Sequence, residues 1–182
     1  MVNVYYLQWF GPFPSVDELK KWRQEENEEC YLYLLQGKKK WHQKYTYYCG
    51  QTFKQNVEDR LSNSNHHIRE LQERSDSLRI WVGSFGNIKN PTKDDVNLCE
   101  KMLTSEMMQI EVDDAYTANK TNLKSPNDDV IIVNEWFDLE MSHRERTSKI
   151  SPANRVPDVI SYWSKTKEVF VAKHLKKLGP MK

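Results

Sequence analysis

Cysteine is scarce in this chain, and its three copies, Cys30, Cys49 and Cys99, show no CxxC spacing and sit in apolar segments. An odd count with that spacing argues against a disulfide framework and a zinc-ligand set, and points to small buried hydrophobes. Long apolar runs are missing too. No stretch approaches the roughly 20 residues of a membrane span, and the start Met1-Val2-Asn3-Val4-Tyr5-Tyr6 has no basic region leading into an apolar one. A soluble, cytoplasmic protein with no membrane partner is expected. A phosphate-cradling glycine loop is also absent, because Gly83-Ser84-Phe85-Gly86 lacks the further glycine and the lysine-serine ending, and there is no GxSxG elbow. At 182 residues the chain suits one domain, or one core with an appendage, and is long enough to bury an interior.

Excess charge of one sign is lacking overall, since the net charge is only +1. Its distribution is uneven. From His143 onward ten Lys or Arg face Glu145, Asp158 and Glu168, so this stretch carries +7 and the remainder −6. A basic surface beside an acidic remainder suits contact with a polyanion. Lys38, Lys39, Lys40, Trp41, His42 and Lys44 add a second basic cluster, interleaved with an aromatic, of the kind that meets a nucleic-acid backbone or an unstacked base.

Periodicity and punctuation give the organisation. Met1 to Phe13 reads as extended, and Ser15-Val16-Asp17-Glu18 as a capping-box-like start for a helix to about Glu26. Cys30 to Leu35 and Thr46 to Gly50 read as partner strands, joined by a turn at Gln36-Gly37 and the basic tip. Gly50 is expected to let the backbone turn tightly and leave space for a ligand. Asn56 is a candidate N-cap for a helix over 57–74, with a possible break at Ser62-Asn63-Ser64-Asn65. Leu78 to Val82 alternates as a third strand, Gly83 to Pro91 reads as a loop, and Thr92 with Asp95 opens the next helix. On that helix, at about 100° per residue, Val96, Cys99, Leu103, Met107 and Ile110 form one apolar stripe, with Glu100 roughly 40° off Val96 at its edge. A carboxylate in that place loses hydration unless a cation meets it.

Two tyrosine-bearing strands followed by a helix with one arginine, a third strand and a glutamate helix resemble the GIY-YIG nuclease family. The first motif is Tyr31-Leu32-Tyr33 and the second Tyr48-Cys49-Gly50; the arginine is Arg60, and Leu98-Cys99-Glu100-Lys101-Met102-Leu103 is similar to the family's glutamate motif. The resemblance runs from about Cys30 to Asn122. Tyr31 stands where the family has glycine, and Leu32 and Cys49 where it has isoleucine. From Tyr33 to Tyr48 is 15 positions, longer than the family's minimum, and the basic tip fills most of that link.

The resemblance implies an α+β fold with a small, mostly antiparallel central sheet flanked by helices. It also implies an N-terminal extension (1–29), a nuclease core (30–127) and a basic C-terminal segment packed on that core (128–182). It implies a Mg2+- or Mn2+-dependent endonuclease acting on double-stranded DNA, of the type II restriction kind. A homodimer is natural because both strands must be cut. An inactive DNA-binding protein of the same fold and a structure-specific repair or recombination nuclease are the alternatives. Within the implied site, Glu100 is the metal ligand, with Glu106 and Glu111 as rivals, and Arg60 holds a phosphate oxygen. Tyr33 is the hydroxyl nearest the attacking water and Tyr48 orients the water or the phosphate. Arg60, the metal or Lys44 favours the Tyr33 phenolate, and His67 or its neighbour His66 offers a phosphate contact or a proton. The family's asparagine corresponds to Asn119, Asn122 or Asn127.

Overall fold

The computed structural model describes residues 2–39, 45–62, 71, 75–109, 115–117, 125–140 and 156–172. Their strands are β1 (Val2–Phe13), β2 (Leu32–Lys39), β3 (Tyr45–Gln51), β4 (Ser75–Phe85), β5 (Ala115–Thr117), β6 (Asp129–Phe137), β7 (Val159–Trp163) and β8 (Glu168–Ala172). The helices are α1 (Val16–Glu26), α2 (Val57–Ser62) and α3 (Lys93–Gln109). All eight strands join one sheet in the order β5-β3-β2-β4-β1-β6-β7-β8. Pairing is antiparallel except between β1 and β6 and between β3 and β5. The α+β class and mostly antiparallel sheet agree with expectation, but eight strands exceed the small sheet expected. Residues 1–29 contribute β1, an interior strand between β4 and β6, and residues 128–182 contribute β6, β7 and β8.

Both faces of the sheet's middle are covered, which explains why β2 reads as an unbroken apolar run instead of an alternation. Leu32 and Leu34 point into one core with Tyr5, Leu7, Trp9, Cys49 and Trp81, against Val96, Cys99, Met102, Leu103 and Met107 of α3. Tyr33 and Leu35 point into a second core with Phe10, Phe13, Ile80 and Val82, against Leu19 and Trp22 of α1 and Val57 and Leu61 of α2. Each large apolar side chain buried in this way contributes about 1.5–3 kcal/mol. The three cysteines are free and buried, as expected.

Helix starts follow the sequence signals. The Ser15 side chain accepts from Glu18 N at 3.2 Å, and Asn27 ends α1 in a left-handed conformation at φ 56°. At α3 the cap is reciprocal: Asp95 N donates to Thr92 Oγ1 at 3.2 Å, and Thr92 N donates to Asp95 Oδ2 at 2.8 Å. Tyr5 of β1 donates to the other Asp95 oxygen at 2.8 Å, which ties the cap to the sheet.

Two boundaries differ from the sequence reading. Gln36 and Gly37 are not a turn; they pair with Tyr47 and Thr46 inside the β2–β3 ladder, and β2 runs on to Lys39. Gly83, Ser84 and Phe85 are not loop but the end of β4, paired with Trp9, Gln8 and Leu7. Local turn chemistry was outvoted there by ladders on both sides of β4 and by the Trp9 ring, which lies in contact distance of Gly83.

Candidate active site

The β2–β3 register sets Tyr33 opposite Gly50 and Leu35 opposite Tyr48. Tyr33 and Tyr48 are therefore diagonal neighbours on one face, with ring centroids 6.0 Å apart and planes 26° from parallel. Gly50 is extended, not turned, and its missing side chain makes room for protein: an added Cβ would overlap Cζ and Oη of Tyr33. This corrects the expectation of a tight turn and ligand space at Gly50. The glycine is the clearance that lets the Tyr33 ring lie flat across β3.

The end of β3 is also where two layers of helix can meet. β5 pairs only with Tyr45 to Tyr47, leaving Tyr48 to Gln51 as an outer edge among the described residues. Arg60 comes to that edge from α2 on one face, and Glu100 from α3 on the other. Gln51 Nε2 donates to Asn97 Oδ1 at 3.2 Å and so fastens the edge to α3 one turn before Glu100. Tyr33 is hydrogen-bonded to both Arg60 and Tyr48, and the Glu100 and Arg60 charges both act on Tyr48. The four residues singled out in the sequence thus form one electrostatic cluster.

Exposure grades through the cluster. Tyr33 is only 1% exposed, Tyr48 is half-buried, Arg60 is exposed and Glu100 is half-buried. Burial pushes the Tyr33 hydroxyl well above the usual tyrosine range, helped by Tyr48 and opposed by Arg60. Burial and the Glu100 charge raise Tyr48 too, while hydrogen bonding from Tyr33 and the Arg60 charge pull it down. The Arg60 guanidinium donates to Tyr33, whose hydroxyl donates to Tyr48; burial and the Glu100 charge outweigh that help, so the Tyr48 phenol stays above its ordinary range. Desolvation raises the Glu100 carboxyl above its ordinary value, with Lys101 and Arg60 compensating in part. Its carboxylate makes no hydrogen bond or ion pair among the described residues.

That carboxylate fits a divalent cation. A hard cation that keeps most of its waters needs few protein ligands, and one half-buried carboxylate with no hydrogen bond among the described residues suits it. Among the described residues no group of three or more His, Cys, Asp or Glu comes together. Of the rivals, Glu106 is described and buried in α3, and Glu111 lies outside the described residues. Lys44, His66, His67, Asn119 and Asn122 also lie outside them, as does most of the basic C-terminal stretch; Lys165 and Lys167 are described and exposed. Asn127 is exposed ahead of β6.

Two clefts flank the turn between β3 and α2. The smaller, about 360 Å3, contains Arg60 with Gln51, Thr52, Lys54, Gln55 and Lys93. The larger, about 650 Å3, lies across the turn and contains none of the four cluster residues. Neither Lys54 nor Lys93 belongs to a motif. A lysine at the first position of a helix is nonetheless a legible signal, because the helix dipole favours acids there.

No helix among the described residues is long and apolar enough to cross a membrane. No family model, curated protein or solved structure matches the chain.

Proposed function

We propose that this protein is a metal-dependent endonuclease of the GIY-YIG type that hydrolyses phosphodiester bonds of double-stranded DNA in the manner of a type II restriction enzyme. The observation that carries the reading is the convergence of Tyr33, Tyr48, Arg60 and Glu100 at one sheet edge from two strands and two helices on opposite faces. Tyr33 and Glu100 stand 67 positions apart in sequence, and each of the four residues is of a type the chemistry needs.

Hydrolysis requires an activated water, neutralisation of the charge on the non-bridging oxygens and stabilisation of the leaving 3′ oxygen. Arg60 presents its planar fork to a phosphate oxygen from the exposed side of the cluster. Tyr48, half-buried at the surface, meets the attacking water, the place the family resemblance gives to Tyr33; Tyr33, 1% exposed beneath it, holds the Tyr48 oxygen in place through their hydrogen bond. Glu100 would hold Mg2+ or Mn2+, which would supply positive charge for the non-bridging and leaving oxygens. Cutting both strands calls for two such centres, hence a homodimer on the DNA.

Supercoiled plasmid incubated with Mg2+ or Mn2+ is expected to be nicked or linearised, and spared when a chelator is present. Glu100→Ala is expected to abolish cutting with DNA binding nearly intact. Retained cutting by Glu100→Ala, with loss in Glu106→Ala or Glu111→Ala, would move the ligand to another acid.

A further inference from the structure

The cleft beside Arg60 holds three cations, Arg60, Lys54 and Lys93, and no carboxylate. They come from three separate elements: α2, the β3–α2 turn and the first position of α3. Like charges gathered on one concave surface repel unless an anion sits among them. Neither Lys54 nor Lys93 has an ion pair among the described residues. Lys54 lies over the Phe53 ring at 6.0 Å and is held by a backbone in the left-handed region at φ 63°. A non-glycine residue there is conformationally costly, and such strain gathers at functional sites. The turn is otherwise braced: Thr52 Oγ1 donates to the Gln55 carbonyl at 2.8 Å, and Thr52 N donates to the Tyr31 carbonyl at 2.8 Å. The exposed Gln55 side chain adds a neutral hydrogen-bonding group to the three charges.

From this we infer that the cleft is a second phosphate subsite, in which Lys54 and Lys93 hold a nucleic-acid phosphate next to the one at Arg60. Its volume of about 360 Å3 is ample for a hydrated phosphodiester. Arg60 lines both the cluster and the cleft, so one strand passes from the cluster into the cleft without leaving the surface. The inference rests on the nuclease reading for its partner, but the anion site itself can be tested without any cleavage.

Two measurements separate the two ideas. The full chain is titrated with inorganic pyrophosphate and with a short DNA duplex, following the backbone amide resonances of Thr52, Lys54, Gln55 and Lys93. Saturable shifts are expected in the natural sequence and lost in Lys54→Ala/Lys93→Ala; their absence with both probes overturns the subsite whether or not the chain cuts DNA. In cleavage assays the double variant is expected to raise KM about tenfold, more than it lowers kcat. Its salt slope for DNA binding falls by about 0.9 for each phosphate contact removed. A neutral methylphosphonate one linkage from the scissile phosphate weakens the natural protein similarly and leaves the double variant indifferent. Cleavage with no such coupling at any neighbouring linkage overturns the subsite and leaves the nuclease standing. Pyrophosphate binding without any metal-dependent cutting overturns the nuclease and leaves an anion site.

Discussion

Tyr33 and Tyr48 differ in surroundings more than in chemistry. Tyr33 lies 1% exposed beneath Tyr48, and the two are hydrogen-bonded to one another, with Arg60 on the inner oxygen. Groups that act as one unit do not add. Tyr33→Phe and Tyr48→Phe are each expected to lower the cleavage rate by about 10², and the double change to cost little more than either alone. Phe keeps ring and volume, so thermal stability is expected to change little. Additive losses would mean two independent roles, and no loss in either would make the pair architectural. Glu100 carries the complementary prediction. Its carboxyl is raised in the folded chain, so the folded state disfavours the ionised form; that cost is full above the folded value and vanishes below the unfolded one, about 4.3. Glu100→Gln is therefore expected to raise Tm at pH 7, with the difference closing as pH falls towards 4. Saturating Mg2+ would stabilise the natural protein and not the variant. A Tm difference independent of pH would refute the desolvated carboxylate.

At the level of elements, α3 is the best-anchored piece around the site, since its cap, its apolar stripe and Glu100 share one rigid body. Thr92→Ala removes the acceptor for Asp95 N and one donor to the Asp95 carboxylate. It is expected to cost about 1 kcal/mol, read as a lower denaturant midpoint with unchanged slope. Much of this element was legible in the sequence. The Thr92–Asp95 spacing marks its start, and the wheel marks Val96, Cys99, Leu103 and Met107 of its stripe and the edge position of Glu100, Ile110 lying outside the described residues, because a helix that packs one face obeys its own period. Strand ends were less legible. Gln36-Gly37 and Gly83 look like punctuation locally, and only pairing partners far along the chain hold them extended. The cluster's four members were legible as a motif, but their order of exposure was not, because it depends on how strands and helices far apart in sequence pack around the end of β3. Gly50 shows the same limit: sequence marks a glycine, and only the register reveals that the Tyr33 ring needs the space.

For the molecule as a whole, the place of β1 decides whether the nuclease core can stand alone. β1 lies between β4 and β6, pairing with β4 from Leu7 to Phe13 and with β6 from Val2 to Phe10. Trp9 stacks on Trp136 with centroids 5.4 Å apart, and its Nε1 donates to Asn134 Oδ1 at 2.9 Å. Asn134 in turn donates to the Pro157 carbonyl at 2.9 Å, so β1, β6 and the approach to β7 close on one buried residue. Removing residues 1–29 would therefore expose the inner edges of β4 and β6, strip Leu7, Trp9, Phe10 and Phe13 from both cores and uncover α2, which packs against α1. At about 1.5–3 kcal/mol for each large apolar side chain, the loss from these four alone is about 6–12 kcal/mol, comparable with the roughly 5–15 kcal/mol stability of an ordinary domain. A chain beginning at Cys30 is expected to aggregate or to show no cooperative thermal transition, and to cut no DNA. A separately supplied peptide of residues 1–29 offers a sharper arm, because strand addition between two exposed edges can restore the sheet. If the shortened chain instead melts cooperatively and cleaves plasmid at the full chain's rate, the first 29 residues are an extension after all, and the sheet from β5 to β4 folds as an independent core.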